Sequence, residues 1–261
     1  MLNTFSRFIG ACCKDGQTKS GVELAPIIIK KALGIQDMPM IENFQSDIGY
    51  KDLFNIHNSL IKKDLLPITI GGDHSIAFST VASTVEHFKD DLTVIWVDAH
   101  ADIHTRFSSL TNNLHGMPLG GLLGHDNIFN FQEIQPSQLI YIGLRDVEEY
   151  EQQKINDLGI ENYTAEDIKN TSLTEILEKI YNTTEYVHMS VDVDVIDPEY
   201  FKSTGTPVDN GLTIKDTKEI ISKFRPKIKS IDFVEFNPLL TDPNQSNKDL
   251  NTLKQLISIV H

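Results

Sequence analysis

Residues 92–102 read LTVIWVDAHAD, an apolar run followed at once by three acidic or imidazole side chains. Residues 186–194, YVHMSVDVD, repeat this arrangement in shorter form. Alternate residues of a strand share one face about 6.5–7 Å apart, so such a strand directs its polar side chains into one cleft. Because paired catalytic metals sit only about 3.5–4 Å apart, three ligands on a straight strand would spread too far. The pattern therefore predicts a binuclear metal site and a chain that curls just after Asp98.

Short apolar runs alternate along the rest of the chain with longer amphipathic segments. Predicted strands cover residues 67–70, 92–97, 138–144, 186–191 and 228–234, and predicted helices cover residues 53–65, 75–88, 173–180, 214–224 and 250–260. This alternation predicts an α/β fold of three layers, αβα, with a mostly parallel central sheet and right-handed crossovers.

Polar residues follow four of these predicted strands directly. They are His74, in a GGDHS segment, together with Asp98, Asp192 and Glu235. In open α/β sheets, ligands bind beyond the carboxyl ends of the strands. We therefore expect four strands to deliver polar groups to one edge of the sheet. A solvated acidic loop is the alternative for the Asp and His clusters.

Two further predictions concern single residues. Asp73 is placed to cap the helix that follows it, because its side chain can accept the free backbone N–H groups of the first turn. His188 shares strand parity with Asp192 but lies about 13 Å back along the strand, so it is predicted to be a hydrogen-bonded core residue. The remaining histidines outside the motifs are predicted to lie on the surface: His57, His87, His125 and His261.

The composition is that of an ordinary globular protein. The 261 residues are 40% hydrophobic, and no linker, repeat or apolar run of about 20 residues interrupts them. A single domain over residues 1–261 is therefore predicted. The formal charge of −14 argues against a nucleic-acid or anionic membrane partner and is compatible with cationic ligands. Metal-binding aspartates would account for part of this excess of acidic groups.

The two cysteines and the first residues bear on the cellular compartment. Cys12 and Cys13 are adjacent, which disfavours a mutual disulfide and suits buried thiols in a reducing compartment. Residues 1–11 are too short and too weakly apolar for a secretory signal. Both observations favour the cytoplasm.

Three motifs carry a resemblance to a known family. They are GGDHS at residues 71–75, VDAHAD at residues 97–102 and SVDVDVIDP at residues 190–198. In this order and with these intervals they resemble the metal-binding signatures of the ureohydrolase family, which includes arginases and agmatinases. The resemblance covers most of the chain through further segments: GVE at 21–23, NLHG at 113–116, GLRDV at 143–147, TGTP at 204–207 and EFNP at 235–238. The NLHG and GLRDV segments are more similar to arginases than to agmatinases.

The resemblance implies an arginase-like fold and two Mn²⁺ ions per subunit. The implied ligands of one ion are His74, Asp98, Asp102 and Asp192, and those of the other are Asp98, His100, Asp192 and Asp194. Mixed imidazole and carboxylate ligands suit Mn²⁺, although Zn²⁺, Co²⁺ or Ni²⁺ would accept the same donors. The implied reaction is hydrolysis of the guanidino group of L-arginine to L-ornithine and urea, by attack of a hydroxide that bridges the two metals.

Three residues are implied to act directly on the reacting group. Asp102 resembles a ligand that also carries a proton to the leaving nitrogen. His115 resembles the histidine that exchanges protons with solvent, a task suited to the pKa of imidazole. Glu235 would bind the guanidinium of the substrate through charge-assisted hydrogen bonds. The alternatives are a loop histidine for His115 and a carboxylate at the edge of the core for Glu235.

The implied contacts with the amino-acid end of the substrate depart from the family. His104 stands where arginases usually have Asn, Thr111 where they have Ser, and Glu148 where they have Asp. Asn113 fits the family pattern, and Thr206 lies within the matching TGTP segment. The replacements keep a polar group but change its shape, so they leave the choice of guanidino substrate open. His104, Thr111 and Glu148 could also be surface residues without a role.

Three other functions remain open on the sequence. A related ureohydrolase acting on agmatine, guanidinobutyrate or formimidoylglutamate would share the metal ligands. A two-metal phosphoester hydrolase is less favoured, since neither a glycine-rich phosphate loop nor an Arg/Lys cluster accompanies the ligands. A non-catalytic module that binds metal and guanidino compounds is the third. The resemblance also implies a homo-oligomer, a trimer or hexamer.

Overall fold

The computed structural model describes residues 7–261, in which eight strands form one sheet. All pairs of neighbouring strands are parallel. The strands are β1 (Phe8–Ala11), β2 (Met40–Ile41), β3 (Ile68–Gly71), β4 (Leu92–Val97), β5 (Leu139–Leu144), β6 (Glu161–Thr164), β7 (Tyr186–Asp192) and β8 (Ile228–Val234). Their order across the sheet is β2-β1-β3-β8-β7-β4-β5-β6, so the last two strands of the chain lie in the middle.

Helices cover both faces of the sheet. They are α1 (Ala25–Leu33), α2 (Asp47–Ile61), α3 (Ala77–Phe88), α4 (Pro118–Leu122), α5 (Glu149–Leu158), α6 (Ala165–Asn170), α7 (Leu173–Thr183), α8 (Ile214–Phe224) and α9 (Pro243–Val260). Alternate residues of β4 enter different apolar clusters, Val97 with α7, α8 and α9 and Trp96 with α2, α3 and α4. The predicted three-layer αβα architecture is therefore confirmed.

All five predicted strands are present, within a residue or two of their predicted bounds. They were recognisable because a parallel strand covered on both faces is a continuous apolar run. The sequence analysis missed the three strands at or near the two edges of the sheet, β1, β2 and β6. β2 has only two residues, and β6 is the polar sequence ENYT with half-buried side chains, so neither has an apolar signature.

Helix bounds differ more from prediction than strand bounds. The helix predicted at 53–65 is α2, which begins earlier, at Asp47, where the side chain of Ser46 caps it. Likewise α9 begins before residue 250, at Pro243, where the side chain of Asp242 caps it. The prediction missed its first turns because they are polar and have no apolar periodicity. Helices α1, α4, α5 and α6 were not predicted.

His57 corrects one of the predictions, since it lies in the core and not on the surface. It is 0% exposed, and its Nδ1 and Nε2 are hydrogen-bonded to Ser83 Oγ at 2.9 Å and Ser230 Oγ at 2.8 Å. These serines, on α3 and β8, satisfy both ring nitrogens and so permit burial. The prediction for His188 is confirmed, because it is buried between Thr84 and Asp232. His87 and His261 are exposed as predicted, and His125 is half-buried.

Two further observations concern the chain as a whole. None of the helices in residues 7–261 combines the length and apolar character needed to cross a membrane. Both cysteine thiols are free and buried, as predicted. The single domain over residues 1–261 stays a prediction, and of the segment 1–11 only residues 7–11 are described, Phe8–Ala11 forming β1.

Candidate metal centre

The four central strands of the sheet, β3, β8, β7 and β4, end at the candidate site. His74 begins a short 3-10 helix after β3, Asp98 follows β4, Asp192 ends β7 and Glu235 follows β8. All four side chains are at most 3% exposed. The prediction that four strands deliver polar groups to one edge is confirmed, and the alternative of a solvated acidic loop is wrong.

A first group of possible metal ligands contains His74, Asp98 and Asp192. His74 Nδ1 lies 3.0 Å from Asp98 Oδ2, 3.1 Å from Asp102 Oδ2 and 3.4 Å from Asp192 Oδ2. Despite these short distances, neither His74 Nδ1 nor Asp98 Oδ2 has a hydrogen-bond partner in good geometry. An N–H at His74 Nδ1 could donate to only one of these three carboxylates. A cation bound between the imidazole and the carboxylates would satisfy all of them.

A second group contains Asp98, His100 and Asp194. His100 Nδ1 lies 3.1 Å from Asp194 Oδ2 and 3.5 Å from Asp98 Oδ1. Asp98 thus belongs to both groups and offers a different oxygen to each. Asp192 belongs to the first group only, and its Oδ1 accepts the backbone N–H of Asp194 at 2.8 Å.

Burial and mutual repulsion raise the pKa values of most of these carboxyl groups. Burial, followed by the charge of Asp98, raises the pKa of Asp102 to about 7. Burial and the charges of Asp194 and Asp98 raise the pKa of Asp192 well above its usual range. Although burial raises it, the neighbouring imidazoles of His100 and His74 bring the pKa of Asp98 below its usual value. Divalent cations would offset this crowding of negative charge.

The local backbone accounts for how these side chains converge. Asp73 accepts the Ser75 N–H at 3.0 Å and so caps the turn that carries His74, as predicted. The chain leaves the strand after Val97, as expected, and Asp102 adopts a φ of +49°. Glu235 has a φ of +65°. Such left-handed conformations are strained for residues other than glycine and cluster at functional sites.

The ring of His74 is fixed by two neighbours that the sequence analysis did not identify. Trp96 stacks on it with ring centroids 4.0 Å apart and an angle of 6° between the planes. Ser190 Oγ lies 2.9 Å from His74 Nε2, which leaves Nδ1 facing the carboxylates. Ser190 shares strand parity with Asp192, and this signal could have found it.

Glu235 and His115 form a second pair beside the acidic groups. Glu235 Oε1 accepts the His74 N–H at 3.0 Å and lies 3.2 Å from His115 Nδ1. Burial lowers the pKa of His115, but the hydrogen bond and the charge of Glu235 outweigh it and raise that pKa to about 9. Although burial raises it, the hydrogen bond from His115 brings the pKa of Glu235 below its usual value.

A pocket of about 300 Å³ opens onto these groups. Its lining includes two predicted reacting residues, Asp102 and His115, and all five residues predicted to bind the substrate: His104, Thr111, Asn113, Glu148 and Thr206. Glu235 contacts His115 but is not itself part of the lining. The lining also contains Asp146 and Glu151, which the sequence analysis had not singled out, and no lysine or arginine.

His104 is the most constrained of these pocket residues. Its ring stacks on Tyr150 at 5.3 Å, and its Nδ1 lies 3.0 Å from Ser108 Oγ. Its Nε2 is buried without a hydrogen-bond partner, 3.4 Å from Glu148 Oε2 and 3.9 Å from Glu151 Oε1. Thr111 and Glu148 are exposed at the mouth of the pocket.

A parallel α/β sheet with two potential metal-ligand groups at its carboxyl edge, next to a polar pocket, is the architecture of a metal-dependent α/β hydrolase. The model of the arginase family matches residues 6–254. The chain therefore belongs to the arginase family, whose members are ureohydrolases that cleave guanidino carbon–nitrogen bonds.

Individual relatives agree with this assignment. An arginase of Bacillus subtilis (strain 168) is 32% identical over 92% of this chain and 93% of its own length. The crystal structure of arginase from Bacillus subtilis superposes with a TM-score of 0.89 and 31% identity, covering 97% of this chain and 96% of that one. Entamoeba histolytica arginase in complex with L-ornithine gives a TM-score of 0.86 and 29% identity over 97% of each chain.

Proposed function

We propose that this protein is an arginase, which hydrolyses L-arginine to L-ornithine and urea and requires two Mn²⁺ ions. The observation that carries the proposal is the pair of ligand groups that share Asp98 beneath a polar pocket. The similarity to arginases of Bacillus subtilis and Entamoeba histolytica supports the choice of substrate.

The donor set fits two divalent cations. We assign His74, Asp98, Asp102 and Asp192 to one ion, and Asp98, His100, Asp192 and Asp194 to the other. The unpartnered His74 Nδ1 and Asp98 Oδ2 support this assignment, since buried polar atoms require a partner. Imidazole and carboxylate donors suit Mn²⁺. Divalent cations held by these residues would supply a nucleophile at neutral pH, because a bound cation lowers the pKa of water.

The other steps fall to residues of the chain. Glu235 pairs with the guanidinium through charge-assisted hydrogen bonds and holds its carbon next to the metal ligands. The leaving amine must be protonated, and Asp102, which lines the pocket, would carry a proton to it. His115 lines the pocket with its side chain 20% exposed, so it can exchange that proton with solvent.

The amino-acid end of the substrate would lie in the outer pocket. We propose that Asn113 and Thr111 contact the α-carboxylate, and that His104 donates to it through the Nε2 that has no partner in the protein. Glu148 would receive the α-amino group. Thr206 donates to Asp194 Oδ2 at 2.9 Å, so its contribution includes holding a metal ligand in place.

One observation favours a second candidate, an agmatine hydrolase. Asp146, Glu148 and Glu151 give the outer pocket a negative charge, and no lysine or arginine lines it. An acidic pocket of this kind accepts the ammonium end of agmatine without needing a partner for a carboxylate. His104 distinguishes the two substrates, because only arginine gives its Nε2 an acceptor.

Urea and formamide release test the proposal directly. The protein, loaded with Mn²⁺ and in parallel treated with a chelator, is given L-arginine, agmatine, guanidinobutyrate and formimidoylglutamate. Metal-dependent urea from arginine in preference to the others is the expected result. Preference for another compound would reassign the substrate within the family.

The remaining alternatives have separate outcomes. Hydrolysis of a generic phosphoester without urea release would revive a two-metal phosphoesterase, and tight arginine binding without turnover would indicate a binding module. We also propose a cytoplasmic location, which the two free thiols support. A homo-oligomer, trimer or hexamer, is proposed from the resemblance, and light scattering in solution tests it.

A further inference from the structure

Gln17 reaches the candidate site from a part of the chain that none of the predicted motifs covers. It lies in segment 14–20, which follows β1, and its Nε2 donates to Glu235 Oε2 at 2.7 Å. The two residues are 218 positions apart in sequence. Because no spacing pattern links them, only the folded chain reveals the contact.

The two oxygens of Glu235 are held from different directions. Oε1 accepts the backbone N–H of His74 and lies beside His115 Nδ1, whereas Oε2 accepts from Gln17. Glu235 also has the left-handed φ of +65°. The plane of its carboxylate therefore depends on these contacts. That plane matters because carboxylate and guanidinium pair best as two parallel hydrogen bonds in one plane.

Segment 14–20 is itself anchored on several sides of the site. The Gly16 N–H donates to Asp73 Oδ2 at 2.9 Å, and Gly16 O accepts the His115 N–H at 3.1 Å. Asn237 Nδ2 donates to the carbonyl of Ser20 at 3.1 Å. Because these hydrogen bonds hold segment 14–20 in place, Gln17 has a defined position from which it can orient the side chain of Glu235.

The space around Gln17 is also limited. A Cβ atom on Gly205 would lie 3.3 Å from Gln17 Oε1 and 3.9 Å from Glu235 Oε2. The glycine thus lets the turn of residues 204–207 lie close to both side chains. A neutral amide is suited to this position, since it donates a hydrogen bond without cancelling the negative charge of Glu235.

We propose that Gln17 is a positioning residue that fixes the plane of the Glu235 carboxylate for the guanidinium of the substrate. The inference rests on the proposed function in one respect, the role of Glu235 as the guanidinium-binding group. It adds a specificity determinant on the N-terminal segment, outside the metal-binding motifs.

The variants Gln17→Leu and Gln17→Glu test this role, with Thr18→Val at the exposed neighbouring position as the control. Loss of a hydrogen bond to a charged group predicts a fall in kcat/KM for L-arginine of about 10-fold to 100-fold in Gln17→Leu. Gln17→Glu should lose more, because two carboxylates would face each other. L-Ornithine has no guanidinium, so its affinity as a competitive inhibitor should stay within about twofold, as should all values for Thr18→Val. Bound Mn²⁺ should be unchanged.

Three results would overturn the inference, and two of them concern the active enzyme. The first is a wild-type kcat/KM in a folded Gln17 variant. The second is a parallel loss of arginine turnover and ornithine affinity, which indicates general disruption. If Gln17→Leu fails to fold, Gln17→Glu decides by the same comparison.

The third result concerns a protein without activity. If the wild type hydrolyses no guanidino compound, the proposed function fails separately, and calorimetry with guanidinium chloride decides on the role of Gln17 instead. Binding about tenfold weaker in the variant supports the inference, and equal or absent binding in both overturns it.

Discussion

The Asp98 carboxylate lies between two imidazole rings and belongs to both ligand groups. Its Oδ2 is 3.0 Å from His74 Nδ1, and its Oδ1 is 3.5 Å from His100 Nδ1. The side chain is 0% exposed, at the end of a central strand. No other residue of the described chain belongs to both groups, and together with Asp192, which we also assign to both ions, Asp98 connects the two halves of the candidate centre.

Asp98→Asn should impair both metal positions together. The amide keeps the shape of the side chain but removes the negative charge that each ion would require. We expect bound Mn²⁺, measured by elemental analysis after dialysis, to fall from two ions toward one or none. Arginine turnover should fall by more than the ~10–100-fold that loss of an outer-shell partner costs. Full metal content with normal turnover would contradict the assignment, and circular dichroism controls for folding.

His115→Asn should separate proton transfer from metal binding. His115 contacts Glu235 and lines the pocket, but it is in neither ligand group. Turnover should therefore decrease by ~10²–10⁴-fold with Mn²⁺ content unchanged, the usual effect of losing a general acid or base. Added imidazole should partly restore the rate. An unchanged rate would remove His115 from the mechanism.

His104→Ala should distinguish between the two candidate substrates. If the unpartnered Nε2 of His104 donates to an α-carboxylate, the variant should lose about tenfold in kcat/KM for L-arginine. Agmatine has no carboxylate, so its kcat/KM should be unchanged. Equal losses for both substrates would show that His104 supports the pocket through its contacts with Tyr150 and Ser108 instead.

The sequence could predict residues that act at the ends of apolar strands. His74, Asp98 and Asp192 each follow a buried run, and the prediction that they converge is confirmed by the distances between them. Gln17 has no such signal, because its partner is distant in sequence. His57 was placed wrongly, since its burial depends on hydroxyl groups supplied by α3 and β8.

At the scale of elements, the C-terminal helix α9 is hydrogen-bonded to the loop at Ser203, which is close in sequence to the pocket residue Thr206. Asp249, on this helix, is 0% exposed and accepts the backbone N–H of Ser203 at 2.9 Å and its hydroxyl at 2.8 Å. Gln245, one turn earlier, donates to its other oxygen. The apolar pattern at 250–260 identified the packed end of α9 but not this polar contact, which has no periodicity.

Two substitutions on α9 should have different costs. Asp249→Ala leaves several donors buried without an acceptor, so we expect the free energy of unfolding to decrease by about 3–5 kcal/mol. Asp242→Ala removes only the exposed N-cap, which accepts from Asn244 and Gln245, and should cost about 1 kcal/mol. Urea denaturation measures both. Equal costs would mean that the Asp249 contacts contribute little net stability.

At the scale of the whole molecule, a polar layer lies buried between α2, α3 and the central strands. His57, His188 and Asp232 are each 0% exposed within it. Burial lowers the pKa of His57 to about 3, with the charge of Asp232 opposing and that of His188 assisting. Burial raises the pKa of Asp232, but the charge and hydrogen bond of His188 outweigh it and bring that pKa below its usual value. Folding thus requires a neutral His57 and a charged Asp232.

Acid should therefore destabilise the protein in two stages. Between pH 6.5 and about 3 the unfolded chain binds a proton at His57 that the folded chain does not, so stability is lost as pH falls through this range. The slope from this group is at most about 1.4 kcal/mol per pH unit. Asp232 adds a further loss below its ordinary pKa of 3.8.

The variant His57→Gln tests the first stage. It keeps hydrogen-bonding capacity toward the serines but cannot titrate, so its unfolding free energy in urea should change less between pH 7 and pH 5 than that of the wild type. His87→Gln, at an exposed position, is the control and should follow the wild type. The imidazoles at the metal centre are the same in all three proteins, so their contribution cancels when the pH dependence of each variant is compared with that of the wild type. Parallel pH profiles for all three would contradict the role of His57.

The strand order has a consequence for biosynthesis. Because β7 and β8 lie between β3 and β4, the inner edges of β3 and β4 have no partner until the ribosome has added residues 186–234. At ~5–20 residues per second, roughly 7–27 s pass between completion of β4 and completion of β8. During that interval the nascent chain presents two open sheet edges, which are templates for aggregation. The yield of this protein should therefore depend on chaperone binding to the growing chain and on the rate of its translation, as well as on the stability of the finished sheet.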